Sequence, residues 1–429
     1  MQSFWSSTNC TFPALRGDIK TDVLIIGGGI AGVLTAYTLQ QSGVDCVLVE
    51  QDVICSKTTA NTTAKITAQH GFIYFNLIQR FGKEKARLYY DANNQALQRF
   101  KELCKDIECD FEEKSSYVYS SSSAKKVEKE LKALSALNVP AQYVKDLPLP
   151  VETKGAVMLK GQAQFNPVKF VQHLAKNLTI YEQTRAVEFE PGRVRTDNGR
   201  IFANKIIFAT HFPFWNKKGL YFMKMFQHRS YVVALKNAPY INGMYLDDDS
   251  KGLSFRNYKD YLLLGGGAHR TGEKGGGWKE LEKVASEKFA NSEITHKWAT
   301  QDCMTLDGVP YIGRYSSTTQ DVYVATGFNK WGMTSAMVAS NLLCDAVCGK
   351  KSPYAQVFNP SRTILRPQLF INLLKTAVNL VTPTVPRCTH LGCALKYNKQ
   401  ERSWDCCCHG SRFSEDKQVL DNPAMKDLD

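Results

Sequence analysis

A chain of 429 residues with 43% hydrophobic and 22% charged content has an ordinary globular composition and is long enough for two or three well-buried domains. Its net charge of +13 comes without a compact run of Lys and Arg interleaved with aromatics, which speaks against nucleic acid and for a solvated basic surface suited to an anionic cofactor or an acidic partner. The N-terminal MQSFWSSTNCTFPALRGD has no basic segment leading into an apolar one, so no secretory signal is read and a cytoplasmic, reducing setting is expected for the 13 cysteines.

The first predicted element is a short buried parallel strand, Val23–Ile26. It runs into GxGxxG at Gly27, Gly29 and Gly32. The first glycine suits a tight turn, the second a close backbone approach to a pyrophosphate, and the third close helix–strand packing. A helix follows from Ala31 to Gln41 with its N-terminus toward the phosphates, Gly43 ends it, and CVLVE forms a strand closing on Glu50. Glu50 lies 18 residues past Gly32, where a carboxylate can accept from a ribose hydroxyl. Strand, glycines, helix, strand and acid in one short unit point to a dinucleotide.

Further along come KTTANTTAKITAQHG (Lys57–Gly71), a helix-rich block from Ile73 to Pro150, and KGQAQFNPVKFVQHLAK with Pro167 opening a helix. RIFANKIIFATHF follows, and then alternating runs between Gln227 and Trp298 that read as an antiparallel sheet. TLDGVPYIGR and VYVATGFNKWGMTSAMVAS complete this half. In this order the segments resemble the D-amino-acid oxidase-like (DAO) superfamily of FAD-dependent oxidoreductases, over roughly Asp18 to Lys350.

The resemblance implies an α/β, Rossmann-like FAD-binding domain from 18–72, 151–226 and 299–350. An interleaved antiparallel-sheet substrate domain comes from 73–150 and 227–298. It implies FAD contacts at Thr62 and Thr63, at the Ala209-Thr210 turn, and at Gly327, Gly332, Met333 and Thr334. Candidates facing the flavin are Lys330, Trp331, His269, Arg256, Tyr245 and Tyr258. Arg256 can hold a carboxylate bidentately, and His269 follows a glycine run that permits close approach. Some members attach flavin through a cysteine. Here Thr300 aligns with that position and Cys303 does not, so FAD is expected to be non-covalent. With one GxGxxG, no second nucleotide domain is evident, and direct oxidation of an organic substrate is implied, an amine or amino acid among the candidates.

Residues 351–386 read as a partly helical linker. Its LFINLLKTAVNLV stretch (Leu369–Val381) is too short and too interrupted by Asn372, Lys375 and Asn379 for a membrane span, and reads as an amphipathic packing or linker helix. The last segment, 387–429, holds PRCTHLGCALKYN and RSWDCCCHGSRF, which together spell C-x-H and C-x-x-H: Cys388, His390, Cys406 and His409. Cys beside His in a reducing setting points to a metal or redox site. Two Cys and two His fit a Rieske [2Fe–2S] cluster or zinc. The surroundings resemble the cytochrome bc type of Rieske protein. That likeness implies a small all-β cluster-binding module with a Cys393–Cys408 disulfide bracing its loops. Cys407 is then a spare thiol where the family has proline, Ser411 donates to a cluster sulfur, and Phe413 replaces a second donor. Most of a full Rieske base is missing from the chain, so support for the cluster has to come from the flavin domain or a partner, or be poor.

The function so implied is oxidation of a small organic substrate by hydride transfer to FAD, with electrons leaving through the cluster to a protein acceptor. An oxygen-using flavin oxidase with a vestigial Rieske module and a non-catalytic redox-responsive flavoprotein stay open as alternatives.

Overall fold

The computed structural model describes residues 3–5, 10–249, 251–383 and 386–429. The chain opens with β1 (Ile19–Ile26), α1 (Ile30–Gln41), β2 (Cys46–Val49) and the two-residue β3 (Lys65–Ile66). Next come α2 (Tyr74–Leu103), β4 (Glu112–Tyr119), α3 (Ala124–Ala136), β5 (Gln142–Val144), β6 (Ala156–Gln164) and α4 (Pro167–Ala175). Short strands β7 (Ile180–Tyr181), β8 (Ala186–Glu190) and β9 (Arg193–Thr196) precede β10 (Arg200–Phe208), α5 (Tyr221–Lys224) and the long β11 (Met225–Lys236). Then follow β12 (Met244–Asp247), β13 (Ser254–Tyr258), β14 (Tyr261–Arg270), α6 (Gly277–Lys288) and β15 (Glu293–Thr305). The flavin half closes with β16 (Tyr311–Arg314), β17 (Val322–Thr326) and α7 (Gly332–Val347). Helices α8 (Ala355–Phe358) and α9 (Pro367–Val381) lead to β18 (Leu395–Asn398), β19 (Ser403–Cys406), β20 (Arg412–Ser414) and β21 (Val419–Asp421).

Three sheets organise the molecule. The first runs β16-β17-β10-β1-β2-β7, with β17, β10, β1, β2 and β7 mutually parallel. The apolar runs predicted as buried strands sit at its centre, with Val23 and Ile25 packed among residues of α1 and α7 and Leu24 buried on the opposite face with Ile206, Phe208 and Val324. Helix α4 begins as its sequence dictates, with Pro167 in the first turn and the Asn166 side chain accepting from the Val168 and Lys169 N–H groups. The second sheet has nine strands in the order β15-β11-β14-β13-β12-β4-β6-β3, with β5 beside β6. The third, β18-β19-β20-β21, is the small antiparallel module at the C-terminus.

The second sheet redraws the expected domain boundaries. Strand β6 falls in the stretch 151–226 assigned to the flavin domain, yet it pairs with β4 in the substrate sheet. The helix-rich block supplies β4 itself, and β15 crosses the boundary at 298. The sheet is also mixed, because β12 and β4 run parallel. The helical stretches of the 73–150 block form α2 and α3, and β4 and β5 lie between and after them, recruited to the sheet by long-range pairing.

Candidate active site and metal centre

A cavity of about 550 Å³ opens at the carboxyl ends of the parallel strands, where α/β sheets take their ligands. Gly27, Gly29, Glu50, Thr62, Thr63, Ala209, Thr210, Gly327, Gly332 and Met333 line it, as expected from the sequence. Gly32 and Thr334 lie behind this lining. The fingerprint glycines play different parts. A Cβ on Gly32 would stand 1.9 Å from the Gly27 carbonyl oxygen, and one on Gly27 2.6 Å from that of Ala209. A Cβ on Gly29 would meet only the Thr59 hydroxyl at 3.3 Å, so the open side of this glycine is a cradle that fits a pyrophosphate. Glu50 accepts from the Gly28 N–H at 2.7 Å and the Asp52 N–H at 2.9 Å, and burial raises its carboxyl above the usual range.

Opposite the glycine loop, the turn between β17 and α7 carries Lys330 and Trp331 into the cavity. Asn329 and Lys330 both have positive φ, +51° and +72°. That left-handed pair is strapped in place by Asn329, which accepts from the Thr305 N–H at 2.7 Å and donates to the Gly327 carbonyl at 2.6 Å. Lys330 presents its side chain to the open cavity, forms no salt bridge among the described residues, and has its pKa lowered by desolvation against the pull of Asp302. Asp302, also in the lining, is raised by burial. His70 lies beneath the turn. Its ring stacks on Trp331 at 4.8 Å and 12° and contacts Thr334 Oγ1 at 2.9 Å and Tyr89 OH at 2.7 Å. Lys65, half-buried in the same lining, donates to the Tyr245 carbonyl at 3.0 Å and is pushed down to about 7 by desolvation. Neither His70 nor Lys65 is among the residues singled out by sequence, although both lie in the Lys57–Gly71 segment with Thr62 and Thr63.

Four other candidates stand away from the cavity. The His269 ring contacts Tyr231 OH at 3.0 Å and the Arg270 carbonyl at 2.8 Å, on the side of β14 that meets the C-terminal module; its neighbour Ala268 lines the cavity instead. Arg256 lies under Trp5 and Tyr258, donates to the Ala64 carbonyl at 3.2 Å, and leaves Nε and Nη2 without partners. Tyr245 stacks on Tyr117, and Tyr258 donates to Asp110. Strand parity decides each case: alternate residues face opposite ways, and only the register fixes which face is which. Thr300 does line the cavity, its hydroxyl unpartnered, whereas Cys303 points at Gln227.

The C-terminal module brings both predicted ligand pairs together. The His390 and His409 rings lie 4.9 Å apart, and Nδ1 of each is buried without a hydrogen-bond partner. Burial keeps both imidazoles neutral, His390 at about 4 and His409 at about 3. The His390 Nε2–H donates to Asn216 Oδ1 at 3.0 Å, which leaves the Nδ1 lone pair free, and the His409 ring bonds the Phe222 backbone. Two orphaned imidazole nitrogens beside the Cys388 and Cys406 thiols fit the His₂Cys₂ ligation of a Rieske cluster. Ser411 hydrogen-bonds the Cys388 thiol and accepts from the Ala424 N–H at 3.0 Å. The expected Cys393–Cys408 disulfide is not closed. Both are free thiols, packed with Cys406 so that the three sulfurs lie within 4.8 Å.

The missing Rieske base is supplied by the flavin half. Gln227 on β11 donates to the His409 carbonyl at 2.9 Å, and Gln301 on β15 to the Gly410 carbonyl at 2.8 Å. Arg270 on β14 donates to the Cys407 and Cys408 carbonyls at 2.9 and 3.0 Å, and to Asn372 of α9 at 2.7 Å. Arg229 pairs with Glu401, which also binds Arg412. Burial alone would raise the Glu401 carboxyl, but Arg229 and Arg412 hold it at about 2. A single strand thickness separates the two sites: Thr300 and Asp302 line the cavity while Gln301 between them holds the cluster loop. In return, residues 419–427 wall part of the cavity, where Asn422 donates to the Thr210 carbonyl at 2.9 Å.

The family model for FAD-dependent oxidoreductases of the DAO type matches residues 22–346, and the Rieske [2Fe-2S] domain model matches 371–429. A Bacillus subtilis (strain 168) protein named "Putative Rieske 2Fe-2S iron-sulfur protein YhfW" is 36% identical across all of this chain and 97% of its own length. An iron-sulfur subunit of the cytochrome b6-f complex from Nostoc sp. (strain PCC 7120) is 45% identical over 40 residues, 9% of this chain and 22% of that subunit. Glycine oxidase from Geobacillus kaustophilus has the same fold, with a TM-score of 0.67 at 18% identity over 80% of this chain and 99% of the other. The chain belongs to the DAO family of FAD-dependent oxidoreductases, and it joins that flavin unit to a C-terminal Rieske [2Fe–2S] domain.

Proposed function

We propose that this oxidoreductase oxidises a small carboxylate-bearing amine or amino acid, and that the electrons leave through the Rieske cluster to a protein acceptor. When bound, FAD supplies hydride acceptance and the [2Fe–2S] cluster supplies one-electron transfer, chemistry that belongs to the cofactors. The chain's own residues do the rest. Gly27, Gly29 and Glu50 hold the dinucleotide, and non-covalent attachment follows from Thr300 at the aligned position. Lys330 and Lys65, two amines in the cavity lining, attract the substrate carboxylate, and Trp331, braced by His70, shapes the substrate pocket.

The observation that carries the electron route is the shared wall, in which successive residues of β15 face the flavin cavity and the cluster loop. The test is anaerobic reduction with a range of amines and amino acids. A true substrate bleaches the flavin first and the Rieske absorption afterwards. The Cys406→Ala variant should reduce its flavin at a similar rate and lose turnover with a ferredoxin-sized one-electron acceptor. Equal turnover by variant and wild type with that acceptor takes the cluster off the path.

A further inference from the structure

Helix α9 is amphipathic in the reverse of the usual sense. Its inward side carries Leu369, Asn372 and Asn379. Asn372 accepts from Arg270, and the Asn379 carbonyl accepts from the Ala394 N–H at 2.9 Å, just past the first cluster loop. The opposite side shows Phe370, Leu374, Val378 and Val381 at 63%, 68%, 52% and 80% exposure, spaced i, i+4, i+8, i+11 along one stripe. Ile371, Leu373 and Leu380 widen it. A soluble helix buries such a face, and an apolar patch of this extent marks a surface meant for something else.

Charge identifies the occupant. From residue 346 to 400 the chain has eight Lys and Arg and no Asp or Glu. Among the described residues only Arg362 and Lys375 of the eight form salt bridges, both with acids from elsewhere in the chain. Arg366 stands at the N-cap of α9, and Arg387 donates to the Leu380 carbonyl at its C-terminal end. An apolar stripe bracketed by cations, within an acid-free stretch, fits the headgroup and acyl boundary of an anionic bilayer, with the Arg and Lys heads reaching the phosphates. A protein partner for the same stripe would not require a region empty of acidic residues.

We propose that α9 is an interfacial anchor, by which the protein docks on an anionic lipid surface with its cluster loops next to the bilayer. No helix among the described residues is long and apolar enough to cross a membrane, so the docking is peripheral. The test is co-sedimentation of the intact holoprotein with vesicles of phosphatidylglycerol mixed with phosphatidylcholine, and with phosphatidylcholine alone. Binding to the anionic vesicles should be at least about tenfold stronger than to the neutral ones, and should weaken in high salt. Phe370→Ser combined with Leu374→Ser should weaken it by about tenfold or more while flavin and iron contents stay unchanged, because both side chains are exposed. Absence of binding to anionic vesicles, or equal binding by the double variant, overturns the proposal. So does a dimer in sedimentation velocity that the double variant abolishes without any vesicle binding, since that result gives the face to a second copy of the chain.

Discussion

Gly29 and Gly32 are three residues apart in one motif, yet they answer to different neighbours, and substitution should separate them. Gly29→Val keeps the backbone intact but fills the cradle, so folded protein without flavin is expected, read by absorbance and circular dichroism. Gly32→Val drives a side chain into the Gly27 carbonyl and should lose the fold along with the flavin. Lys65 gives a pH signature. With its pKa pushed down to about 7, it is charged below that value and neutral above, so KM for an anionic substrate should rise as pH climbs from about 6 to 8. Lys65→Met should have a higher KM at pH about 6 and a flatter profile, and an unchanged profile would remove Lys65 from substrate binding. The glycine fingerprint, Glu50 and the paired C-x-H and C-x-x-H stretches were legible because each motif spans a few residues with fixed spacing. His269 and Arg256 were misassigned because their side-chain direction depends on pairing partners tens of residues away, and His70 became visible only once its ring met Trp331.

Among elements, the two cluster loops and α9 form one unit held from outside by Arg270. Its three hydrogen bonds reach the Cys407 carbonyl, the Cys408 carbonyl and Asn372, so Arg270→Met should release the second loop and α9 together. Loss of a buried, charge-assisted set of this kind costs several kcal/mol, at about 1.5–3 kcal/mol per bond. Purified protein should contain less iron at unchanged flavin, and any cluster retained should have a more negative potential because a nearby cation is gone. His409→Ala and Cys406→Ala should each remove the Rieske EPR signal while leaving FAD in place. Cys407→Pro should preserve it, because no hydrogen bond from the Cys407 N–H is made among the described residues and the substitution therefore removes no donor in use. Loss of the signal in Cys407→Pro but not in Cys406→Ala would shift the ligand register by one. The parallel strand–helix unit was readable from apolar runs and glycine spacing, and the small all-β module from its likeness to Rieske proteins. The membership of β4 and β6 in the substrate sheet was not, since β6 sits in sequence among flavin-binding segments.

At the scale of the whole molecule, a Rieske domain short of its base and a flavin domain short of a cavity wall complete each other. The sequence showed the first shortage but not its remedy, because Gln227, Arg229 and Gln301 look like ordinary polar strand residues until β11 and β15 meet the module. Their contacts are buried: Arg229 and Glu401 side chains are 8% and 6% exposed, and Arg412 ties the same carboxylate to Asp405 and Asp421. Such a network contributes little net stability while intact but is expensive to break, because the partner charge stays buried. Arg229→Met should therefore cost about 3–5 kcal/mol. The loss should appear at both cofactors, since Asn422 of the module secures the Thr210 turn over the cavity while Gln227 and Gln301 secure the cluster loop. Thermal melts followed by flavin fluorescence and by cluster absorbance should coincide in the wild type and move down together in Arg229→Met. Two separate transitions, with only the cluster signal shifted, would mean that the halves fold independently and that the wall between them is a contact rather than a shared structure.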